Sequence, residues 1–138
     1  MTRVEFIRVE PSCLAFIPEK AIEYLEKAAN QPTADLTVLD AIAYAKVGAG
    51  DIYLGIQGEN LFAAAFFMYG RSKNGKILDV ALLGGCDYIK YRKESWGFLI
   101  NLAKSKDCDK IVIMGRKSWG KIFPEMKEIG VVFGLSID

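Results

Sequence analysis

The sequence contains no histidine. That removes the commonest zinc ligand and every catalytic scheme built on imidazole. Cysteine is scarce: Cys13, Cys86 and Cys108 are odd in number, widely spaced and without a CxxC pair. They read as reduced, buried thiols rather than as a disulfide framework or a metal knuckle. No apolar run approaches the length of a bilayer span; the longest, residues 61–69, is bracketed by turn residues. The first five residues lack the pattern of a secretion signal. An excess of one charge is missing too, with 18 Lys and Arg against 17 Asp and Glu and a net charge of +1. A balanced charge and the absence of any nucleic-acid motif argue against nucleic acid as a partner, and nothing points to a membrane. These absences together predict a cytoplasmic protein whose charge-based recognition is local.

What is present suits a globular core. The chain has 138 residues, 51% of them hydrophobic and 25% charged, which predicts one domain spanning residues 1–138. Val4, Phe6 and Val9, with Ile7 between them, read as a first strand ended by Pro11. Over residues 18–30, Ala21, Ile22, Leu25 and Ala28/Ala29 recur at helical spacing. A second helix starts near Asp35 or Thr37. Its apolar stripe is Leu36, Leu39, Ile42, Ala43 and Val47, and Gly48-Ala49-Gly50 closes it. Residues 51–57, 61–69 and 76–84 then read as three strands joined by two short turns, an antiparallel meander. The middle strand is apolar on both faces, as expected of a strand covered on both sides.

After Gly84-Gly85, which reads as a turn or a close backbone approach, comes a polar loop. A helix follows over residues 95–105, burying Phe98, Leu99, Leu102 and Ala103. Residues 110–114 have the pattern of a buried parallel strand. Another helix spans residues 119–129, and a last strand spans residues 131–137. The predicted order is β-α-α-β-β-β-α-β-α-β, an α/β protein (α+β by some schemes) with a mixed sheet and helices on both faces.

This order is similar to that of the GCN5-related N-acetyltransferases (GNAT), along the whole chain. In that family a strand leads into a helix through Gln/Arg-x-x-Gly-x-Gly/Ala. The corresponding stretch here is Arg92-Lys93-Glu94-Ser95-Trp96-Gly97, in which the Arg and the final Gly match and Ser95 replaces the middle Gly. The family's later strand–helix pair resembles residues 111–131, with Met126 where a thiolate-protonating tyrosine often stands. The segment from Gly115 to Gly120 also resembles small GNAT-like proteins of tailed phages of the T7-like group, found among virion-assembly genes.

The resemblance implies acetyl-CoA or CoA as ligand and an amine as acceptor, with a homodimer allowed. It implies that Leu82, Leu83, Arg92, Lys93, Ser95, Trp96, Gly97 and Arg116 hold the cofactor, and that no metal takes part. The phage likeness implies instead a non-catalytic assembly protein with virion proteins as partners, in the host cytoplasm or the particle.

Physical chemistry gives reasons on both sides. A CoA pyrophosphate needs free N–H groups at a helix N-terminus, where the helix dipole also attracts an anion. Two junctions offer this, each with an Arg-Lys pair and a Ser-Trp-Gly. If their strands are parallel neighbours, Lys90, Arg92, Lys93, Arg116, Lys117 and Lys121 gather at one mouth. Against this, Glu94 repels a diphosphate at the helix start, and Ser95 as N-cap satisfies the N–H groups a cofactor needs. Trp96 and Trp119 also read as core anchors. Transfer needs a base for the amine and an acid for the thiolate. Asp79, with Asp87 and Glu59 behind it, is the candidate base; Tyr88 and Tyr91 are the candidate acids.

Overall fold

In a computed structural model, residues 2–32, 34–73, 75–113 and 122–127 are described. The predicted last strand falls outside them, as do Arg116, Lys117, Trp119 and Lys121; of the predicted last helix, residues 122–127 are described, and they hold a turn at Pro124 and Glu125 rather than a continuous helix.

Alternating apolar residues build β1 (Val4–Arg8) and β2 (Gly50–Gln57), and the turn glycines fold β2, β3 (Asn60–Ser72) and β4 (Gly75–Gly85) into a meander. Gly58 at φ +62° sits in the two-residue turn between β2 and β3, a conformation that glycine adopts without strain. With β5 (Lys110–Ile113) the strands form one sheet in the order β1-β2-β3-β4-β5. The first three pairings are antiparallel. β5 runs parallel to β4, with Ile77 to Val80 opposite Lys110 to Ile113. A parallel neighbour requires a crossover, supplied by α3 (Arg92–Ser105).

The helices cover the sheet from both sides, as predicted. On one face, α1 (Glu19–Ala29) and α2 (Val38–Lys46) enclose Leu14, Ala21, Leu25, Ala41, Ala45, Ile52 and Phe66. On the other, α3 packs Leu99, Leu102 and Ala103 against Ala65, Phe67, Leu78 and Val80. The middle strand serves both cores, since Phe66 faces one and Phe67 the other. Among the described residues no helix is long and apolar enough to cross a membrane.

Four local readings need correction. Beyond Pro11 the chain does not run straight to α1 but first makes a 3-10 helix, Pro11–Phe16. The predicted stripe of α2 holds only in part: Leu36 and Ile42 pack against the core, but Leu39, Ala43 and Val47 do not. Ala41 and Ala45 are buried, whereas Leu39 and Val47 are 78% and 77% exposed. Two apolar stripes share this helix, and the one made of small alanines lies against the sheet. Thr37 caps it through a reciprocal box: the Asp40 amide donates to Thr37 Oγ1 at 3.1 Å, and the Thr37 amide donates to Asp40 Oδ2 at 3.0 Å.

Gly84 and Gly85 belong to β4 rather than to a turn. A Cβ on Gly84 would collide with the Tyr24 carbonyl of α1, and one on Gly85 with the Phe62 carbonyl of β3. They are glycines because backbone passes over backbone. Finally, α3 begins at Arg92 with Tyr91 at the N-cap, so Ser95 lies inside the first turn. Its amide donates to the Tyr91 carbonyl at 2.9 Å.

Candidate functional site

The pairing of β3 with β4 is interrupted. Phe66 lies opposite Leu82 and Phe67 opposite Val80, which leaves Ala81 as one extra residue on β4. A bulge of this kind turns the strand and re-aims the side chains beyond it. Leu78 and Val80 face α3, whereas both Ala81 and Leu82 pack against the α1–α2 core. Leu83 then returns to the α3 side. The bulge directly follows the stretch of β4 that pairs with parallel β5.

The end of β4 leads through Asp87 to Lys90 into α3. The amides of Tyr91, Arg92 and Ser95 donate to carbonyls of Asp87, Ile89 and Tyr91. Those of Lys93 and Glu94 make no hydrogen bond among the described residues. Lys90, Arg92 and Lys93 are exposed beside them. Among the described residues the ion pairs are those of Arg8, so Arg92 and Lys93 have no carboxylate partner. This end of α3 is therefore able to receive an anion, by free amides and by charge. Glu94 in the first turn opposes it.

The predicted site residues other than Arg116 are among those described. Asp79 stands on β4 between Met68 of β3 and Val112 of β5. By the alternation of the strand it faces the α1–α2 side. It is half-buried, and burial raises its pKa above the usual carboxylate range. Tyr91 is buried, its ring stacked 3.7 Å from that of Phe62. Its hydroxyl donates to Gln57 Oε1 at 2.9 Å and accepts from Asn60 Nδ2 at 3.1 Å. Both contacts tie the start of α3 to the β2–β3 turn. Tyr88 is half-buried on the α3 side. Trp96 is half-buried and tilted against Phe123, 5.7 Å between centroids, as a core anchor would be. Gly97 has open space around it, Glu59 and Asp87 are exposed, and Leu82 is in the core.

Besides the bulge, sequence reasoning missed two features. One is a small cavity beneath α3, of about 40 Å³, lined by Gly55, Ala63 and Ala65 on the sheet and by aromatic rings around them. The other is an ionic network at the opposite end of α3. Asp51, 7% exposed, accepts from Arg8 Nε at 2.8 Å and from the Tyr69 hydroxyl at 2.8 Å. Burial and then the Asp51 hydrogen bond raise the Tyr69 pKa, and the same carboxylate raises that of Arg8. Charges opposed across β1 and β2 give little warning of themselves in a linear sequence. The network braces the sheet, away from the β4–α3 junction. Among the described residues no cluster of acids and cysteines suits a metal ion.

No protein-family model matches the sequence, and no curated protein matches it. Solved structures do. An aminoglycoside acetyltransferase from an uncultured soil metagenomic sample superposes with a TM-score of 0.69 at 9% identity, covering 99% of each chain. The glucosamine-6-phosphate N-acetyltransferase of Arabidopsis thaliana gives 0.58 at 16% identity, covering 100% of this chain and 99% of that one. A predicted acetyltransferase of Clostridium acetobutylicum, solved with acetyl-CoA, gives 0.61 at 9% identity, covering 99% and 96%. The chain has the GNAT fold. At these identities the likeness is one of architecture.

Proposed function

We propose that the protein is an acyl-CoA-dependent N-acyltransferase that binds its thioester donor at the β4–α3 junction. The observation that carries this reading is the bulge at Ala81, beside parallel β5 and immediately ahead of a helix start with two unpaired amides. A bulge frees backbone groups of β4 from the ladder, where a pantetheine amide can use them. The amides of Lys93 and Glu94, with Arg92 and Lys93, would take the pyrophosphate. Arg116, which the family resemblance implies as a further contact to the cofactor, lies outside the described residues.

In the transfer the acceptor amine forms a C–N bond with the thioester carbonyl as the C–S bond breaks. The amine's proton goes to a base, and the departing thiolate takes one from an acid or from water. Asp79 is the candidate base, and its raised pKa brings it nearer the range in which a carboxylate works well. Tyr91 is held by Gln57 and Asn60, and Tyr88, half-buried on the α3 side, is the candidate acid. Asp79 and Tyr88 lie on opposite faces of the sheet. A centre that serves both therefore lies in the plane of the sheet, beside the bulge.

A non-catalytic role, as in a virion-assembly protein, draws on Glu94 at the helix start and Met126 in place of a tyrosine. The solved structures of this fold named above are acetyltransferases, which favours the catalytic reading. Incubation with acetyl-CoA and a panel of amines, followed by mass spectrometry, separates the two. An acetylated amine is expected. No product from any amine, with no self-acetylation, would leave the non-catalytic role standing.

A further inference from the structure

The cavity beneath α3 has an unusual wall. Gly55, Ala63 and Ala65 are neighbours across β2 and β3, with Gly55 opposite Ala63 and Tyr53 opposite Ala65. All three point toward α3 and form the floor. Elsewhere the two strands carry large residues in the core, such as Ile52, Leu54, Phe62, Phe66 and Phe67. The void lies over Ala63 and Ala65, whose side chains are small, while the Phe62 ring covers Gly55, where a Cβ would meet it at 2.8 Å. Above the floor stand Phe6, Phe62 and Phe98, held by ring contacts: Phe6 stacks on Phe98 at 4.5 Å, and Phe6 meets Phe62 edge-on at 5.9 Å. The rings that define the void are thus braced against collapse into it.

Among the described residues no charged side chain lines the space. Its polar groups are hydroxyls and a thiol, those of Tyr53, Tyr88, Tyr91, Ser95 and Cys86. Tyr53 is neutral at any ordinary pH, since burial, then Asp51, raises its pKa. Apolar cavities stay dry and take apolar guests. At about 40 Å³ the space holds a chain of roughly three or four carbons, given about 10–15 Å³ for one water-sized group. An aromatic ring needs more. The same cavity touches Leu83, Cys86, Tyr91 and Ser95, residues of the junction itself.

We infer that this cavity is a subsite for a short, neutral aliphatic group of the substrate. The inference rests on the acyl-transfer reading and adds a substrate class to it. The group is either the chain of an acyl thioester longer than acetyl, or an aliphatic arm of the acceptor amine. Both present the same chemistry to the walls.

Calorimetric titration with acetyl-, propionyl-, butyryl- and octanoyl-CoA tests the first source. Affinity should tighten about three- to fourfold for each methylene added up to butyryl, and fall at octanoyl. Ala65→Leu, which fills the floor, should erase that gain while leaving acetyl-CoA binding and the melting temperature unchanged or higher. Ala63→Val is a second, milder filling should Ala65→Leu fail to fold. Propylamine and butylamine, titrated in the presence of CoA, test the second source; binding to wild type and not to the filled variant assigns the pocket to the acceptor. Neither series showing a length preference, or a preference that survives filling, overturns the inference and marks a packing void. If acetyl-CoA itself fails to bind, the acyl-transfer reading falls, and the amine series alone decides the pocket.

Discussion

Ala81 and Leu82 are consecutive on β4, yet both pack on the α1–α2 side of the sheet. That single irregularity decides what lies beyond it. It turns Leu83 toward the α3 cavity, lays Gly84 under α1 and Gly85 against β3, and delivers the chain to the start of α3. The proposed chemistry depends on this geometry.

The close approach at Gly84 makes a simple test. Ala at that position must push α1 away from the sheet, since its Cβ would meet the Tyr24 backbone, and backbone cannot yield as a flexible side chain does. Gly84→Ala should destabilise the fold by about 1–3 kcal/mol, as overpacking does. Urea denaturation measures it; an unchanged midpoint would contradict the packing described.

Asp79 couples stability to activity in opposite directions. Its pKa is raised by burial, so the folded state favours the protonated carboxyl. Stability attributable to this group is then greatest at low pH. It declines as pH rises from the ordinary carboxylate range through the raised value. Asp79→Asn should flatten that decline and leave the protein equally or more stable at neutral pH. It should also lower kcat about 100-fold or more if Asp79 is the base. Melting curves and rates across pH, taken on the same variant, check both. A stable variant with full activity would remove Asp79 from the mechanism.

Tyr91 is expected to be a latch. Tyr91→Phe keeps the ring on Phe62 and loses the hydroxyl shared by Gln57 and Asn60, a change of about 1 kcal/mol. Activity should hardly move. A kcat loss beyond tenfold with unchanged KM would instead make Tyr91 the acid.

At the mouth, charge should act in both senses. Arg92→Gln with Lys93→Gln should weaken acetyl-CoA binding about tenfold and flatten its salt dependence, because two exposed cations are removed. Glu94→Gln should tighten binding about two- to fivefold by removing a repulsive carboxylate from the positive end of the helix. Titration at low and high salt reads both effects; a Glu94→Gln variant that binds more weakly would contradict the placement of the anion.

Much of this architecture was legible in the sequence because periodicity and punctuation agreed. The meander follows from alternating residues separated by Gly58-Glu59-Asn60 and by residues 70–75. The buried side of α3 follows from Leu99, Leu102 and Ala103. Periodicity failed where two answers shared one period. On α2 both Leu39-Ala43-Val47 and Ala41-Ala45 satisfy a helix, and only the distance to the sheet selects the small pair. It failed again at α3. Ser95 resembles a cap, but Arg92, Lys93 and Glu94 are good helix formers and carry the helix back to Tyr91. The bulge was hidden because residues 80–83 are all apolar, and no alternation exists there to be broken. The cavity was hidden because Gly55, Ala63 and Ala65 meet only when β2 and β3 pair.

Binding of acetyl-CoA to the purified protein, followed by calorimetry with Arg92→Glu as the control, tests the central claim most directly. One molecule should bind per chain with micromolar to sub-millimolar affinity, and the charge reversal should weaken it more than tenfold. No heat at millimolar acetyl-CoA, or binding untouched by the reversal, would contradict a donor site at the start of α3.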